Sequence, residues 1–280
     1  MTTWRTDDLP APVKFGPLQW GVSALRGGAL VLLIYGGLVV LLVLRVVEWP
    51  FSGRHRPLSP YVTQAVSRCS IFILGIRYRV RGTPMPHPGA VVANHASWLD
   101  IFALNACQRV YFVSKSEVAG WPGIGWLARA TGTVFIDRNP KKAKAQQDLF
   151  DGRIRAGHKL LFFPEGTSTD TLRVLPFKST LFAAFFANDL VPLMHIQPVS
   201  VRYFAPKGRD RRFYGWWGDM IFGPHFVQTL GQWRQGSIEV VFHRPLRVTD
   251  FPTRKALAAS CEAMVRSGVE TGKVQTAAAD

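Results

Sequence analysis

The chain has 280 residues, of which 48% are hydrophobic, 12% aromatic and 19% charged. This composition excludes an intrinsically disordered protein and allows a sizeable core. The 34 Lys and Arg residues outnumber the 18 Asp and Glu residues, so the formal net charge is +16. Such a charge predicts an anionic partner: a nucleic acid, an acidic membrane surface or an acidic protein. The three cysteines are scattered through the chain, which disfavours a disulfide framework and a Cys-x-x-Cys metal site and favours a reducing compartment.

The first predicted element is a membrane helix. Residues 27–44 carry no charge and are flanked by Arg26 and Arg45. As a helix this run would be about 27 Å long, close to the apolar thickness of a bilayer. A cleaved signal peptide is disfavoured by the long, acidic leader, and a helix buried in a soluble core is the other alternative. Arginines are more frequent downstream than upstream, so the positive-inside rule predicts an inner-membrane protein whose downstream domain faces the cytoplasm.

A second helix is predicted over residues 61–76. Apolar residues recur there at helical spacing, with Thr63, Ser67 and Ser70 on another face. This helix could lie on the bilayer surface or pack on the soluble core, and the sequence leaves both alternatives open.

The rest of the chain predicts one α/β domain with a mixed, largely parallel sheet flanked by helices. We divide the chain into a leader (1–26), membrane-associated helices (27–76), an α/β domain (77–267) and a flexible tail (268–280). The predicted strands are 78–80, 91–93, 110–114, 133–136, 160–163, 199–203 and 238–243, and the predicted helices of the domain are 97–106, 139–156 and 251–267.

The first segment that could carry chemistry is Asn94-His95-Ala96-Ser97-Trp98-Leu99-Asp100, directly after a predicted strand. A histidine is a suitable general base near neutral pH, and a carboxylate on its other ring nitrogen would fix the tautomer. Residues five apart do not share a face of a helix or a strand, so His95 and Asp100 can meet only across a bend. Asn94 or Ser97 could cap the following helix. There is no Gly-x-Ser-x-Gly motif, so the pair would activate a hydroxyl of the substrate itself.

Two further segments follow predicted strands. Pro164-Glu165-Gly166-Thr167-Ser168 could form a cradle for a polar head group, although an ordinary turn has the same composition. Gly132 to Arg138 ends in an arginine that could clamp a phosphate or carboxylate.

In this order the three segments resemble the glycerolipid acyltransferase family, typified by bacterial lysophosphatidate acyltransferase. Its Asn-His-x-x-x-x-Asp motif is matched by Asn94, His95 and Asp100, and its Phe-Pro-Glu-Gly-Thr motif by residues 163–167. Its Gly-x-(Val/Ile)-Phe-Ile-(Asp)-Arg block is matched by residues 132–138. The resemblance covers residues 91–201.

The resemblance implies an enzyme in which His95 takes the proton of an acceptor hydroxyl, Asp100 orients His95, and the alkoxide attacks an acyl thioester. It implies no metal and no bound cofactor; acyl carrier protein or acyl-coenzyme A would supply the acyl group. The candidate substrate-binding residues are Asn94, Ser97, Arg138, Glu165, Gly166, Thr167 and Ser168.

One departure concerns the acceptor. Phosphate-binding members of the family have an arginine after Gly-Thr, whereas this chain has Ser168, followed by Thr169 and Asp170. Arg138, Arg173 or Lys178 could substitute for that arginine; otherwise the acceptor is not a phosphate. Lyso-ornithine lipid acyltransferases are similar to this family and esterify a zwitterionic aminolipid, whose ammonium group Asp170 would suit. We therefore expect lyso-ornithine lipid, 1-acyl-glycerol-3-phosphate or both as acceptor.

The expected partners are acyl carrier protein, a lysolipid acceptor and membrane lipids, without nucleic acid. The basic run Arg202, Lys207, Arg209, Arg211 and Arg212 could dock an acidic protein or anionic lipid, or form a solvated loop. Trp216 and Trp217 could lie at the lipid–water boundary or in the core. The alternative to an enzyme is a non-catalytic basic membrane adaptor.

Overall fold

The computed structural model of the chain describes residues 3–6, 8–10, 13–53, 55–87, 89–137, 143–186, 191–192 and 194–274. Arg138 lies outside these ranges, and so does the predicted Asn139-Pro140 helix start. The described residues form seven α-helices: α1 (Pro17–Ser52), α2 (Ser59–Leu74), α3 (Asp100–Cys107), α4 (Ile124–Thr131), α5 (Ala143–Arg155), α6 (Phe222–Gly231) and α7 (Arg254–Thr271). They also form eight strands: β1 (Arg77–Arg81), β2 (Gly89–Ala93), β3 (Tyr111–Lys115), β4 (Val134–Ile136), β5 (Lys159–Phe162), β6 (His195–Phe204), β7 (Ser237–Phe242) and β8 (Leu246–Arg247).

The strands form one sheet in the order β1-β7-β6-β2-β5-β3-β4, with β8 paired to β6. Strand β2 runs parallel to β5 and β6, β3 runs parallel to β4 and β5, and β1 runs parallel to β7. Only the pairs of β6 with β7 and β8 are antiparallel among the described strands. The predicted mixed, largely parallel sheet is therefore confirmed. Because β2, β5 and β6 run in parallel, their carboxyl ends meet at one edge, where α/β sheets commonly bind ligands.

The sheet has a hydrophobic core on each face. Strand β2 is buried throughout, and its residues alternate between the two cores: Val91 and Ala93 belong to one, Ala90 and Val92 to the other. Burial on both faces explains the continuous apolar sequence of this strand. Helices α2 and α3 contribute to the first core, and α5 and α7 to the second.

Helix α1 is longer than the predicted membrane segment and packs lengthwise on the α/β domain. Its buried residues, Ser23, Leu30, Leu41 and Glu48, recur at intervals of 7, 11 and 7 and form one stripe. Residues 17–26, predicted as part of the leader, belong to this helix. Of the most apolar 18-residue window of α1, only 11% is buried inside the protein, and α1 is the one described helix long and apolar enough to cross a bilayer.

Helix α2 packs against α1 and α3 through a face that includes Ser67, Ser70 and Leu74, whereas Phe72 is 84% exposed. A Cβ atom at Gly37 of α1 would lie 2.4 Å from Cγ2 of Val66, so glycine is what allows the two helices to approach. The segment thus packs on the protein through its serines, as the second alternative expects, and its contact with a bilayer surface stays a prediction.

The predicted strands correspond to β1–β7, but the sequence analysis missed α4 and α6. Helix α4 is only eight residues long, and α6 contains Gly223, Pro224 and Thr229, which are poor helix formers. The predicted end of the last helix is also wrong, because α7 continues through Gly268 to Thr271. A Cβ atom at Gly268 would lie 2.2 Å from Oγ of Ser200, so this glycine serves close packing of α7 on β6 and does not end the helix.

Candidate active site

The structure brings His95 and Asp100 together across the bend between β2 and α3. Strand β2 ends at Ala93 and α3 begins at Asp100, so His95 precedes the helix and Asp100 opens it. The Nδ1 atom of His95 lies 2.7 Å from Oδ2 of Asp100. The Asp100 side chain is fully buried, and that of His95 is 25% exposed. Because Nδ1 contacts the carboxylate, Nε2 is the ring nitrogen left to meet a substrate.

Three further donors fix the Asp100 carboxylate. The backbone amides of Ala96 and Ser97 donate to Oδ2 at 2.9 and 3.0 Å, and the hydroxyl of Tyr203 donates to Oδ1 at 2.5 Å. Burial and the neighbouring Asp100 raise the pKa of Tyr203 well above its usual value, so its hydroxyl stays protonated as a donor. The Asp100 carboxylate is surrounded by donors and acts as an acceptor. We therefore assign to His95 the tautomer that carries its proton on Nδ1.

Sequence analysis missed Tyr203. The residue lies near the end of β6, where Val199, Val201 and Tyr203 alternate toward the same core as Ala93 and Leu99. That alternation places the phenol on the His95 side of the sheet and is the signal that could have identified it.

The ring of His95 stacks on Phe163, which directly follows β5, with the ring centroids 4.2 Å apart and an interplanar angle of 14°. The stack and the contact with Asp100 together restrict both torsions of the imidazole. The ring is therefore held before any substrate arrives.

Glu165 joins the two segments that resemble the family motifs. Its Oε1 accepts the backbone amide of His95 at 2.7 Å, and its Oε2 accepts that of Leu175 at 2.6 Å. The residue is 1% exposed. Burial raises the pKa of its carboxyl group to about 8, against the opposite effect of the two amides. These contacts differ from the expected head-group contact and fit a role in holding the backbone on either side of His95.

Asn94 and Ser97 are also buried, contrary to a direct contact with substrate. The amide group of Asn94 exchanges two hydrogen bonds with the backbone of Val201, at 2.9 and 2.8 Å, and so ties the end of β2 to β6. The hydroxyl of Ser97 accepts the amide of Leu99 at 3.3 Å. These contacts shape the bend that brings His95 and Asp100 together.

Gly166, Thr167 and Ser168 are partly exposed in the segment that follows Glu165. Gly166 has a φ of +71°, a conformation that favours glycine. The hydroxyl of Thr167 accepts the backbone amide of Trp4 at 3.3 Å. An N-terminal residue, which the sequence analysis assigned to a leader, therefore borders this segment.

Asp170 is not available for the expected contact with an ammonium group. It is 1% exposed, and both its oxygens contact the guanidinium of Arg173, at 3.1 and 2.8 Å. The side chain of Arg173 is 53% exposed, and its Cζ atom lies 5.0 Å from the ring centroid of Trp4. Arg173 and Thr167 both contact Trp4, so Arg173 is a cation close to the Gly166–Ser168 segment.

Three of the five side chains of the basic run 202–212 have partners within the protein. Arg202 pairs with Glu239 at 2.5 Å, Arg209 donates to Gln232 at 2.9 Å, and Arg212 contacts Asp8 and Asp210 at 3.1 and 2.8 Å. Only Lys207 and Arg211 of the five are exposed. Trp217 is 1% exposed, so it packs in the core and does not lie at a lipid boundary.

Within the described ranges, no group of three or more His, Cys, Asp and Glu side chains could hold a metal ion. The arrangement can position a general base with one accessible nitrogen, a carboxylate that stabilises the imidazolium, and a short polar segment beside it.

Comparisons with known proteins agree with this chemistry. A protein-family model of acyltransferases matches residues 77–202. The chain is 64% identical over 266 residues to a lyso-ornithine lipid O-acyltransferase of Rhodobacter capsulatus, covering 95% of this chain and 96% of that protein. It is 36% identical over 132 residues to a 1-acyl-sn-glycerol-3-phosphate acyltransferase of Neisseria gonorrhoeae, covering 46% and 50%. The crystal structure of the 1-acyl-sn-glycerophosphate acyltransferase PlsC from Thermotoga maritima has a similar fold, with a TM-score of 0.65 and 21% identity, covering 93% of this chain and 97% of that one.

The family match and the 64% identical relative define the class of protein as an acyltransferase. The chain belongs to the glycerolipid acyltransferase family and is a lysolipid acyltransferase. The non-catalytic adaptor is thereby set aside.

Proposed function

We propose that this enzyme transfers a fatty acyl group from acyl carrier protein to the free hydroxyl of lyso-ornithine lipid, giving ornithine lipid. The acceptor is supported by the 64% identity to a protein of that name over nearly the full length of both chains. The mechanism is supported above all by one observation, the 2.7 Å contact between Nδ1 of His95 and Oδ2 of Asp100.

His95 is the catalytic base in this proposal. Its Nε2 takes the proton of the acceptor hydroxyl while Asp100 stabilises the imidazolium. The acceptor oxygen attacks the thioester carbonyl carbon, a C–O bond forms, and the C–S bond breaks as the tetrahedral intermediate collapses. The leaving thiolate then takes the proton from His95. Ser97, the hydroxyl nearest in sequence, is fully buried against the Leu99 amide, which favours direct transfer over an acyl-enzyme intermediate.

We assign the acceptor head group to the partly exposed segment Gly166, Thr167 and Ser168, with Arg173 as the cation beside it. A guanidinium pairs well with a carboxylate, such as the one in the zwitterionic ornithine head group, and equally with a phosphate. Asn94, Ser97 and Glu165 act through the backbone they hold and position His95. The reaction as written needs no metal and no bound cofactor.

A second acceptor, 1-acyl-glycerol-3-phosphate, is favoured by the relative of that name from Neisseria gonorrhoeae, which matches 46% of this chain. The proposed contact of Arg173 would serve its phosphate as well. Acyl-coenzyme A is the alternative donor, since its thioester is chemically equivalent to that of acyl carrier protein.

We further propose that the protein resides on the inner membrane with its catalytic domain on the cytoplasmic side. Contacts along α1 favour embedding of α1 and α2 as a pair over a crossing by α1 alone. Ser23 and Arg26 donate to carbonyls of α6, at Val227 and Leu230, whereas Arg45 lines a small cavity in the domain with Tyr111. Both ends of the apolar run thus contact the same domain.

The test is an acyl-transfer assay on the purified full-length protein in detergent. Radiolabelled acyl carrier protein or acyl-coenzyme A is offered with lyso-ornithine lipid or 1-acyl-glycerol-3-phosphate, and the lipid products are separated. We expect ornithine lipid from the carrier-protein donor, and we expect His95→Ala to lower its rate by about 10²- to 10⁴-fold, the usual value of general-base catalysis. Activity of His95→Ala within tenfold of the parent would refute the mechanism, and exclusive formation of phosphatidate would refute the acceptor.

A further inference from the structure

A basic cleft lies at the opposite end of the sheet from His95. It has a volume of about 390 Å³, and its lining includes Arg56, Tyr61, Gln108, Arg109, Tyr111 and Lys159. Tyr111 and Lys159 are the first residues of β3 and β5. Lys159 is level with Gly89 of β2, and His95 follows Gly89 by six residues, which is about 20 Å along a strand. The cleft is therefore separate from the proposed catalytic site.

Positive charge gathers around Tyr111, a lining residue of this cleft, from three elements. The Cζ atom of Arg153, on α5, lies 5.0 Å from the ring centroid of Tyr111. Arg56 lies on the connection between α1 and α2. A Cβ atom at Gly132 would be 2.7 Å from Nη1 of Arg56 and 3.0 Å from the Tyr111 ring, so the guanidinium and the ring both lie beside Gly132. Arg45 of α1 lines a small cavity with Tyr111 and Arg109.

Among the described residues, the carboxylate of Glu48 lies near Arg45, and its Oε1 accepts the backbone amides of Leu58 and Ser59. Its Oε2 meets no described hydrogen-bond partner. Arg56 and Arg153 both repel the charge of Arg45, and an anion bound in the cleft would relieve this repulsion.

Buried donors in the cleft also lack protein acceptors. Among the described residues, three buried donors meet no hydrogen-bond partner: Nη1 of Arg56, the hydroxyl of Tyr111 and Nε2 of Gln108. Oε1 of Gln108, which is an acceptor, also has no partner there. Gln108 is 4% exposed and Tyr111 is 6% exposed. Such groups are normally satisfied in folded proteins, so this set of donors indicates a ligand rich in acceptor oxygens.

We infer that this cleft binds the phosphate of an anionic membrane lipid, at a site distinct from the one that holds the acceptor lysolipid. A phosphate offers several acceptor oxygens and matches the planar donors of arginine. The lipid source follows from the surroundings of the cleft. Trp49 and Phe51, near the end of α1 that leads into Arg56, are 68% and 87% exposed and provide an apolar surface for the acyl chains.

The experiment uses the full-length protein in a neutral detergent and measures the melting temperature. The probes are short-chain phosphatidylglycerol, short-chain phosphatidylcholine and inorganic phosphate, each at the same concentration. We expect phosphatidylglycerol to raise the melting temperature in a saturable way, and the other two to give less than a third of that shift. The His95→Ala variant should show the full shift, because the cleft is remote from His95.

Arg56→Gln and Arg109→Gln each remove one cationic lining residue, and Arg211→Gln removes an exposed arginine elsewhere as the matched control. The Arg109 side chain is exposed and lies 4.4 Å over the Tyr61 ring, so its replacement leaves the core intact even if Arg56→Gln does not fold. We expect the apparent dissociation constant for phosphatidylglycerol to rise at least fivefold in the cleft variants and to be unchanged in Arg211→Gln. Equal dissociation constants for phosphatidylglycerol in Arg109→Gln and Arg211→Gln would refute binding at this cleft. An equal shift with inorganic phosphate would overturn the lipid as its ligand, and loss of the shift in His95→Ala would assign the binding to the catalytic site.

Discussion

The Asp100 carboxylate is the most constrained group of the site. It receives two backbone amides, the Tyr203 hydroxyl and Nδ1 of His95 while fully buried. A buried charge is tolerated when each lone pair has a donor, and removal of one donor leaves a cost that the neighbours cannot relieve. The orientation of His95 therefore depends on residues that are buried beside it.

Tyr203→Phe tests this dependence. It removes the hydroxyl that donates to Oδ1 of Asp100 and keeps the ring. A hydrogen bond to a charged group is worth about 1.5–3 kcal/mol, so we expect kcat to fall about tenfold to a hundredfold, with little change in KM for the acceptor. Tyr214→Phe is the matched control, because its ring lies 5.9 Å from that of Tyr203 while its hydroxyl contacts Gln235 and Gly236. Equal kcat values for the two variants would show that the Tyr203 hydroxyl plays no part.

Glu165 predicts a dependence of stability on pH. Its pKa is raised to about 8 in the folded protein from an ordinary value near 4.5. Between these values the unfolded chain releases a proton that the folded protein keeps, so stability falls as pH rises and levels off above about 8. Burial lowers the pKa of His225 and His243 to about 4, so these two residues make stability rise with pH. That rise ends once the pH exceeds the ordinary histidine pKa of about 6.5, because the histidines are then neutral in the unfolded chain as well.

The informative interval is therefore pH 7 to 8. We expect unfolding in detergent to become easier by about 1 kcal/mol across it, and this loss to disappear in Glu165→Gln. Glu165→Gln should also be less stable than the parent at pH 7. Its side-chain NH₂ group would face one of the two backbone N–H groups that donate to Glu165 in the parent. Melting temperatures of the two proteins at pH 7 and 8 provide the measurement, and parallel slopes would contradict the assignment.

At the scale of elements, the contact between α1 and α2 depends on one glycine. Helices approach closely where small residues meet, and Gly37 faces Val66 at such a point. Gly36, its neighbour in sequence, has open space where a Cβ atom would lie. A side chain at Gly37 would therefore disturb the packing of α1 on α2, whereas a side chain at the adjacent Gly36 would not.

We expect Gly37→Ala to destabilise the protein by about 1–3 kcal/mol through overpacking, and Gly36→Ala to be neutral or slightly stabilising. Val66→Ala in the Gly37→Ala background removes the atom that the new methyl group meets, so part of the loss should be recovered. The measurement is the melting temperature, in one detergent, of the parent, Gly36→Ala, Gly37→Ala and the double variant Gly37→Ala/Val66→Ala. Equal effects at positions 36 and 37 would contradict the packing argument.

For the whole molecule, α1 defines two surfaces. One stripe packs on the α/β domain, and the opposite face leaves Leu32 at 78% and Val39 at 61% exposed. An exposed apolar surface of this size is typical of a site that contacts a membrane or another protein, and we propose the membrane here. The same helix therefore contributes one face to the core and presents an apolar face on the outside.

The double variant Leu32→Glu/Val39→Glu tests the proposed membrane contact of the exposed face separately from the packing of the buried face. A carboxylate near the centre of an apolar helix costs about 2.5–3.5 kcal/mol in a bilayer, so we expect much of the variant to leave carbonate-washed membranes while its melting temperature in detergent stays near that of the parent. Leu30→Glu is the contrasting control, because Leu30 is 2% exposed and its replacement should unfold the protein. Full retention of the double variant in washed membranes would contradict a lipid contact at this face.

Local patterns determined much of this protein. Apolar runs with β-branched residues predicted β1–β7, and the order of polar segments after strands predicted the bend that carries His95 and Asp100. Charge-free residues 27–44 predicted the apolar helix. These inferences succeeded because hydrophobic period and strand ends are properties of contiguous sequence.

Only the tertiary structure decided which side chains face the site. It buried Asn94, Ser97 and Glu165 against backbone groups, paired Asp170 with Arg173, and brought Tyr203 and Trp4 to residues far away in the chain. It also placed α1 along the domain and gathered Arg45, Arg56 and Arg153 around Tyr111. Contacts between distant segments depend on packing and on the pairing of buried polar groups, which leave no periodic pattern in a single sequence.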